Sequence, residues 1–120
     1  MNRYSYKNLN VYQDAKALVV AIYKLLDEFP EVERYALCNQ IRRAAISITS
    51  NIAEGVSRIS NKEKCHFIEI AFASMMEVDS QLDISVDLGF INHQQYINIH
   101  EQMDTIGRQL SALRAKYQQS

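Results

Sequence analysis

Proline and glycine are scarce in this chain, with one Pro and three Gly among 120 residues. Few positions therefore interrupt a helical backbone. With Ala, Leu, Ile, Gln, Glu and Lys throughout and 48% hydrophobic residues, the composition favours helix. Cysteine is nearly as scarce. Cys38 and Cys65 have neither CxxC spacing nor a partner cluster, which excludes a disulfide framework and points to free, core-packed thiols in a reducing cytoplasm. Long apolar runs are missing too. No stretch approaches the roughly 18 residues needed to span a bilayer, and MNRYSYKNLNVYQDAK lacks the apolar run of a signal peptide. Three glycines leave no phosphate-cradling loop, and no nucleophile elbow surrounds the serines and histidines. A cytoplasmic protein that is not an enzyme and needs no cofactor is expected.

The net charge of −1 gives no support to nucleic-acid binding, but its distribution is uneven. Across residues 34–64, Arg34, Arg42, Arg43, Arg58, Lys62 and Lys64 are opposed only by Glu54 and Glu63. From Cys65 to Gly107 there is no Lys or Arg, only acids such as Glu69, Glu77, Asp79, Asp83 and Asp87. Charge is segregated along the chain.

Apolar residues step by three and four in four segments, the signature of amphipathic helices. The first, about residues 9–29, carries Ala15, Val19, Ile22, Leu26 and Phe29, and Pro30 ends it. The second, about 35–55, carries Leu37, Ile41, Ala44, Ile48 and Ile52 and closes at Gly55, which suits either a left-handed turn or a close neighbour. The third, about 61–88, opens on a predicted capping box, Ser60 with Glu63, and carries Ile68, Ala71, Met75, Val78 and Leu82. The fourth, about 93–117, is capped by Asn92 with Gln95 and carries Ile99, Met103, Ile106 and Leu110. Connections this short force antiparallel neighbours. One domain over residues 1–120, an all-α up-down-up-down four-helix bundle, is predicted.

Helix 2 also carries a polar stripe, Gln40, Arg43, Ser47, Asn51, Glu54 and Arg58, whose short or planar groups make directional hydrogen bonds. Ser74 and Glu77 on helix 3 are placed to face it, with an Arg42 or Arg43 link to Glu77 that sets register more than stability. Asp79, Asp83 and Asp87 recur every four residues and read as an outer acidic column. It is either a solvated face or a surface that meets a basic one in an assembly. A lone Glu63-x-x-His66 falls short of the two Glu-x-x-His pairs and two further glutamates of a di-iron bundle, so no metal is expected. His93 and His100 lie two turns apart, roughly 10 Å, and read as surface residues.

Phe29-Pro30, Tyr35, Leu37, Gln40-Ile41-Arg42-Arg43-Ala44, Ser47-Ile48 and Asn51-Ile52-Ala53-Glu54-Gly55 together resemble the bacterial four-helix bundle proteins encoded in intervening sequences of 23S rRNA genes. Arg58, Phe67, Ala71, Ser74 and Glu77 extend the match over roughly residues 6–113. One departure is Ala73-Ser74-Met75 where the family usually has Gly-Ser-Leu, and Ala73 would slightly widen a close helix contact. The resemblance implies an antiparallel bundle and a cyclic homopentamer. Members are often labelled ribosomal-protein-like. The best understood relatives are accessory variability determinant proteins of diversity-generating retroelements, which bind nucleic acid and a reverse transcriptase.

Two functional classes follow. In the first, a non-catalytic oligomeric bundle binds RNA or other nucleic acid through Arg42, Arg43, Arg58, Lys62 and Lys64, with salt-sensitive affinity. Tyr4 and Tyr6 beside Arg3 and Lys7 would stack on bases. In the second, the chain is a scaffold without nucleic-acid binding of its own. Its partners are other copies of itself or another protein, and a basic side meets the acidic column of its neighbour in a ring.

Overall fold

The four apolar stripes close on one another in the computed structural model, which describes residues 4–119. α1 spans Asn10–Leu26, α2 Leu37–Val56, α3 Asn61–Asp87 and α4 His93–Gln118, with 3-10 turns at Ser5–Asn8 and Glu31–Glu33. Each helix packs on the one before it, and α4 returns to α1. The architecture is the predicted up-down-up-down bundle, 46 Å long and 22 × 21 Å across. Arg3, expected to flank the first tyrosines, lies outside the described residues.

Helix ends follow local chemistry. α1 stops three residues before Phe29, because the backbone approaching Pro30 tightens into i→i+3 bonds from Asp27, Glu28 and Phe29. α3 begins at Ser60, whose hydroxyl accepts from Glu63 N–H at 3.1 Å. The predicted box is only half made there, and Glu63 stays exposed. α4 has the full box, with Asn92 and Gln95 each bonding the other's backbone N–H at 2.8 Å. Between them, Gly89 takes φ +79°. The N–H of Gly89 and that of Phe90 then reach back to the carbonyls of Val86 and Ser85, a Schellman closure that only a residue without Cβ adopts cheaply.

The core comprises the expected apolar positions. Leu18, Ile22, Ile41, Ile48, Ile52, Ile68, Met75, Leu82, Ile106 and Leu110 are fully buried. Each such side chain contributes roughly 1.5–3 kcal/mol through burial. Tyr12, Leu37, Leu113 and Tyr117 pack half-buried at the margins. Both cysteines are free thiols: Cys38 is buried, while Cys65 is half-buried and donates to the Arg114 carbonyl. Among the described residues Ser85 is the one buried polar side chain in the core, and its hydroxyl bonds the Gln81 carbonyl at 2.7 Å. Among the described residues no helix is long and apolar enough to cross a membrane.

α2 and α3 pack most intimately. Gly55 is not in a left-handed conformation; it permits close approach instead. A Cβ added there would stand 3.0 Å from Phe67 Cβ and 3.4 Å from the Lys64 carbonyl oxygen. About two turns further along, Ser47 and Ser74 meet hydroxyl to hydroxyl at 2.8 Å. Asn51 braces Ser47 by donating to its carbonyl at 2.7 Å and its hydroxyl at 2.9 Å. Ala73 is exposed, so its extra methyl does not separate the helices.

α3 and α4 are joined by a polar cluster. Tyr96 Oη donates to Asp79 Oδ1 at 2.8 Å, and His100 Nδ1 lies 3.0 Å from the same oxygen. The carboxylate only accepts, so Nδ1 carries a proton. His100 Nε2 then faces Asp104 at 3.6 Å, and a second proton there completes a bridge between two carboxylates. The Asp79 hydrogen bond raises the His100 pKa above 6.5, aided by the nearby negative charges and opposed by burial. Tyr96 is pushed up to about 12, mostly by burial, with the Asp79 hydrogen bond and surrounding carboxylates adding to it.

Two outcomes follow. Gly55→Ala gains roughly 0.5–1 kcal/mol of helix propensity but overpacks the α2–α3 contact at a cost of about 1–3 kcal/mol. Net destabilisation in urea unfolding is expected, and an unchanged or raised midpoint would contradict the close-approach role. A raised folded-state pKa means that His100 stabilises the fold fully below its unfolded value of 6.5 and loses that contribution as pH rises through the folded value. NMR titration should place the His100 midpoint above 6.5 and lower it in Asp79→Asn. A wild-type midpoint at or below 6.5 would rule out the bridge.

Candidate nucleic-acid interface

Antiparallel topology sorts the charges by height in the bundle. The start of α1, the α2–α3 turn and the end of α4 share one end. The half at that end, residues 4–17, 48–73 and 107–119, holds eight Lys and Arg against four Asp and Glu. The opposite half, residues 18–47 and 74–106, holds four against ten. A chain of nearly balanced charge thus folds into a bundle with a basic pole and an acidic pole.

Cations of the basic pole stand over aromatic rings. Arg58 lies 4.5 Å from the centroid of Phe67, and Lys64 4.8 Å from that of Tyr117. Lys7 over Tyr4 and Lys16 over Tyr12, at 5.6 and 6.0 Å, repeat the arrangement near the start of α1. Such pairs hold a cation at the surface without neutralising it. Arg58 is also shared with Glu54 at 3.6 Å, an exposed pair worth little in water. Lys62 is exposed and makes no ion pair among the described residues. Between the first turns of α3 and the last of α4 lies an open cleft of about 490 Å³ lined by Lys62, Cys65, His66, Glu69, Arg114 and Tyr117. Glu69 is held by Arg114 from the facing helix. Burial raises the Tyr117 pKa, with a smaller contribution from Cys65, so the phenol stays neutral.

The five basic residues predicted as one surface divide into two groups. Arg58, Lys62 and Lys64 fall on the basic pole. Arg43 lies 15 residues before Arg58 on and past the same helix, roughly 22 Å along the axis. It is exposed and makes no ion pair among the described residues. Arg42 turns toward α1, where it lies 5.8 Å from the Tyr23 ring centroid and donates to the Arg34 carbonyl at 3.3 Å. The expected Arg42 or Arg43 link to Glu77 is not formed. Glu77 is exposed and accepts from Gln81 at 3.3 Å. Arg42 is turned to α1, and Arg43 and Glu77 both stand exposed beside the Ser47–Ser74 seam. Of the polar stripe, Ser47, Asn51 and Ser74 are half-buried in the seam, while Gln40, Arg43, Glu54 and Arg58 are exposed beside it.

The acidic column is not one outer face. Asp83 and Asp87 are exposed, but Asp79 is drawn half-buried into the Tyr96–His100 cluster. His100 is correspondingly not a free surface residue, whereas His66 and His93 are exposed. The i, i+4 run Tyr96, His100, Asp104 on α4 was the available signal for that cluster. Arg108, Arg114 and Lys116, near the end of α4, join the basic pole, which charge counting along helix 2 alone missed. No three His, Cys, Asp or Glu side chains are grouped as a metal site among the described residues.

The profile of the 23S rRNA-intervening sequence protein family matches residues 7–112. A crystal structure of a protein of unknown function from the S23 ribosomal protein family of Bacteroides thetaiotaomicron VPI-5482 superposes with a TM-score of 0.77 at 24% identity. The alignment covers 87% of this chain and 97% of that one, and it carries the fold alone. No curated protein matches. With the bundle, its α2 signature and the family profile in agreement over most of the chain, the protein belongs to the 23S rRNA-intervening sequence protein family.

Proposed function

We propose that this protein is a non-catalytic RNA-binding bundle whose basic pole grips the phosphate backbone. The observation that carries this reading is the sorting of charge by topology: eight basic residues against four acidic ones gather in one half of a chain whose net charge is only −1. Arg58, Lys62 and Lys64 supply phosphate contacts from the α2–α3 turn, while Arg114 on α4 is held by Glu69. Arg42 and Arg43 stand apart from that surface. The family's printed association with 23S rRNA genes agrees with an RNA ligand but names none for this chain.

The reading is tested by titrating a labelled RNA at several salt concentrations. Each phosphate neutralised contributes about 0.7–0.9 to the slope of log affinity against log salt. A slope of roughly −2 to −3 is expected, falling by close to one contact in Lys62→Ala with no loss of fold. Absence of salt-sensitive binding at low ionic strength would sink the proposal.

A second reading, a cyclic homo-oligomer serving as a scaffold, has its own support. Exposed apolar side chains form two strips on different faces. Val20, Tyr23 and Ile46 line one between α1 and α2, beside Lys24 and Arg42. Phe72 and Met76 line the other, a groove of about 410 Å³ between α3 and α4 rimmed by Asp79 and Asp104. Two unlike apolar surfaces suit the head-to-tail contact from which rings close, and the family resemblance implies five copies. Asp83 and Asp87 would lie near that contact, and their burial would leave the exposed surface of the ring more basic. Light scattering at micromolar concentration should show an assembly, and a monomer there would exclude it.

A further inference from the structure

We propose that the cleft between the start of α3 and the end of α4 accepts an unpaired nucleobase, so that the protein takes single-stranded RNA in preference to duplex. The inference rests on the basic pole being the nucleic-acid surface and names the form of nucleic acid that surface takes. The walls of the cleft carry a ring each, His66 from α3 and Tyr117 from α4. Its volume of about 490 Å³ falls within the usual range of small-ligand sites, so a base fits and a stacked pair of strands does not. Cations flank the rings: Lys62 lines the same cleft beside the Arg114–Glu69 pair, and Lys64 lies 4.8 Å from the Tyr117 ring centroid.

A ring surface beside a positive charge is the arrangement that holds single strands, because every base has a face to stack and every linkage a phosphate. In a duplex those faces are occupied by neighbouring bases, and the rings of the cleft would have nothing to contact. The single carboxylate of the cleft, Glu69, is already engaged by Arg114 and does not oppose an anionic backbone. An acidic peptide would satisfy the cations but leave the rings without partners, so the nucleic acid is the better fit.

The test is fluorescence anisotropy with one labelled RNA strand of mixed sequence, the same strand in a duplex, and the corresponding single-stranded DNA, at about 50 mM and about 200 mM salt. His66→Ala changes an exposed residue, and Tyr117→Leu keeps the apolar cover while removing the ring. Single-stranded RNA should bind at least tenfold tighter than duplex, and each variant should lose about fivefold to tenfold for the single strand without weakening duplex binding. Equal single-stranded RNA and DNA affinities still support the base pocket, since stacking does not read the sugar. Duplex bound as tightly as single strand, or variants indistinguishable from wild type in binding while Lys62→Ala weakens it, overturns the base pocket and leaves phosphate binding standing. No salt-sensitive binding of any strand overturns both.

Discussion

The rest of the molecule depends on how closely α2 and α3 approach. Gly55 removes a side chain where Phe67 and the Lys64 carbonyl press in, and Ser47 and Ser74 replace bulk with a single hydroxyl contact. Small residues alone would let the helices slide. The hydroxyl pair, braced by Asn51, is directional and fixes where along its length α3 meets α2. Once that register is set, the α2–α3 turn puts Arg58 over Phe67 and aligns the first turns of α3 with the last of α4.

The opposite side of α3 solves a different problem. There the contact with α4 is polar, made by Asp79, Tyr96 and His100, and it sits beside an apolar groove lined by Phe72 and Met76. One long helix thus carries a tight, small-residue seam on one side and an open, titratable seam on the other. The difference follows from residue size. Ser74 admits a neighbour at hydroxyl distance, whereas Met76 and Phe72 hold one away and leave their own edges in water.

Much of this was legible in the sequence, and the failures are physical. Apolar steps such as Ile41, Ala44, Ile48 and Ile52 specify a helix face unambiguously because burial is all or none along such a stripe. The Asn92–Gln95 box is local and equally readable. The polar stripe of α2 was harder, since residues three or four apart share a side of a helix but not a depth, and only Ser47 and Asn51 lie deep enough to cross. Asp79, Asp83 and Asp87 misled for a related reason. Steps of four overshoot a turn by about 40° each, so Asp79 can be drawn inward while Asp83 and Asp87 stay outside. The basic pole required topology. Arg58 and Arg114 are 56 positions apart in sequence and become neighbours in height only after two reversals of direction.

Those reversals have a consequence for motion in solution. A rod 46 Å long with opposite charge at its two ends is an electric dipole, and a dipole experiences a torque before it experiences a contact. Near any polyanion the bundle turns until its α2–α3 end leads, provided the separation is within roughly the 8–10 Å over which physiological salt transmits a field. Within that range, approach is biased toward end-first. The fraction of collisions that arrive in a usable orientation exceeds what the small leading face, about a twentieth to a tenth of such a rod's surface, would receive by chance.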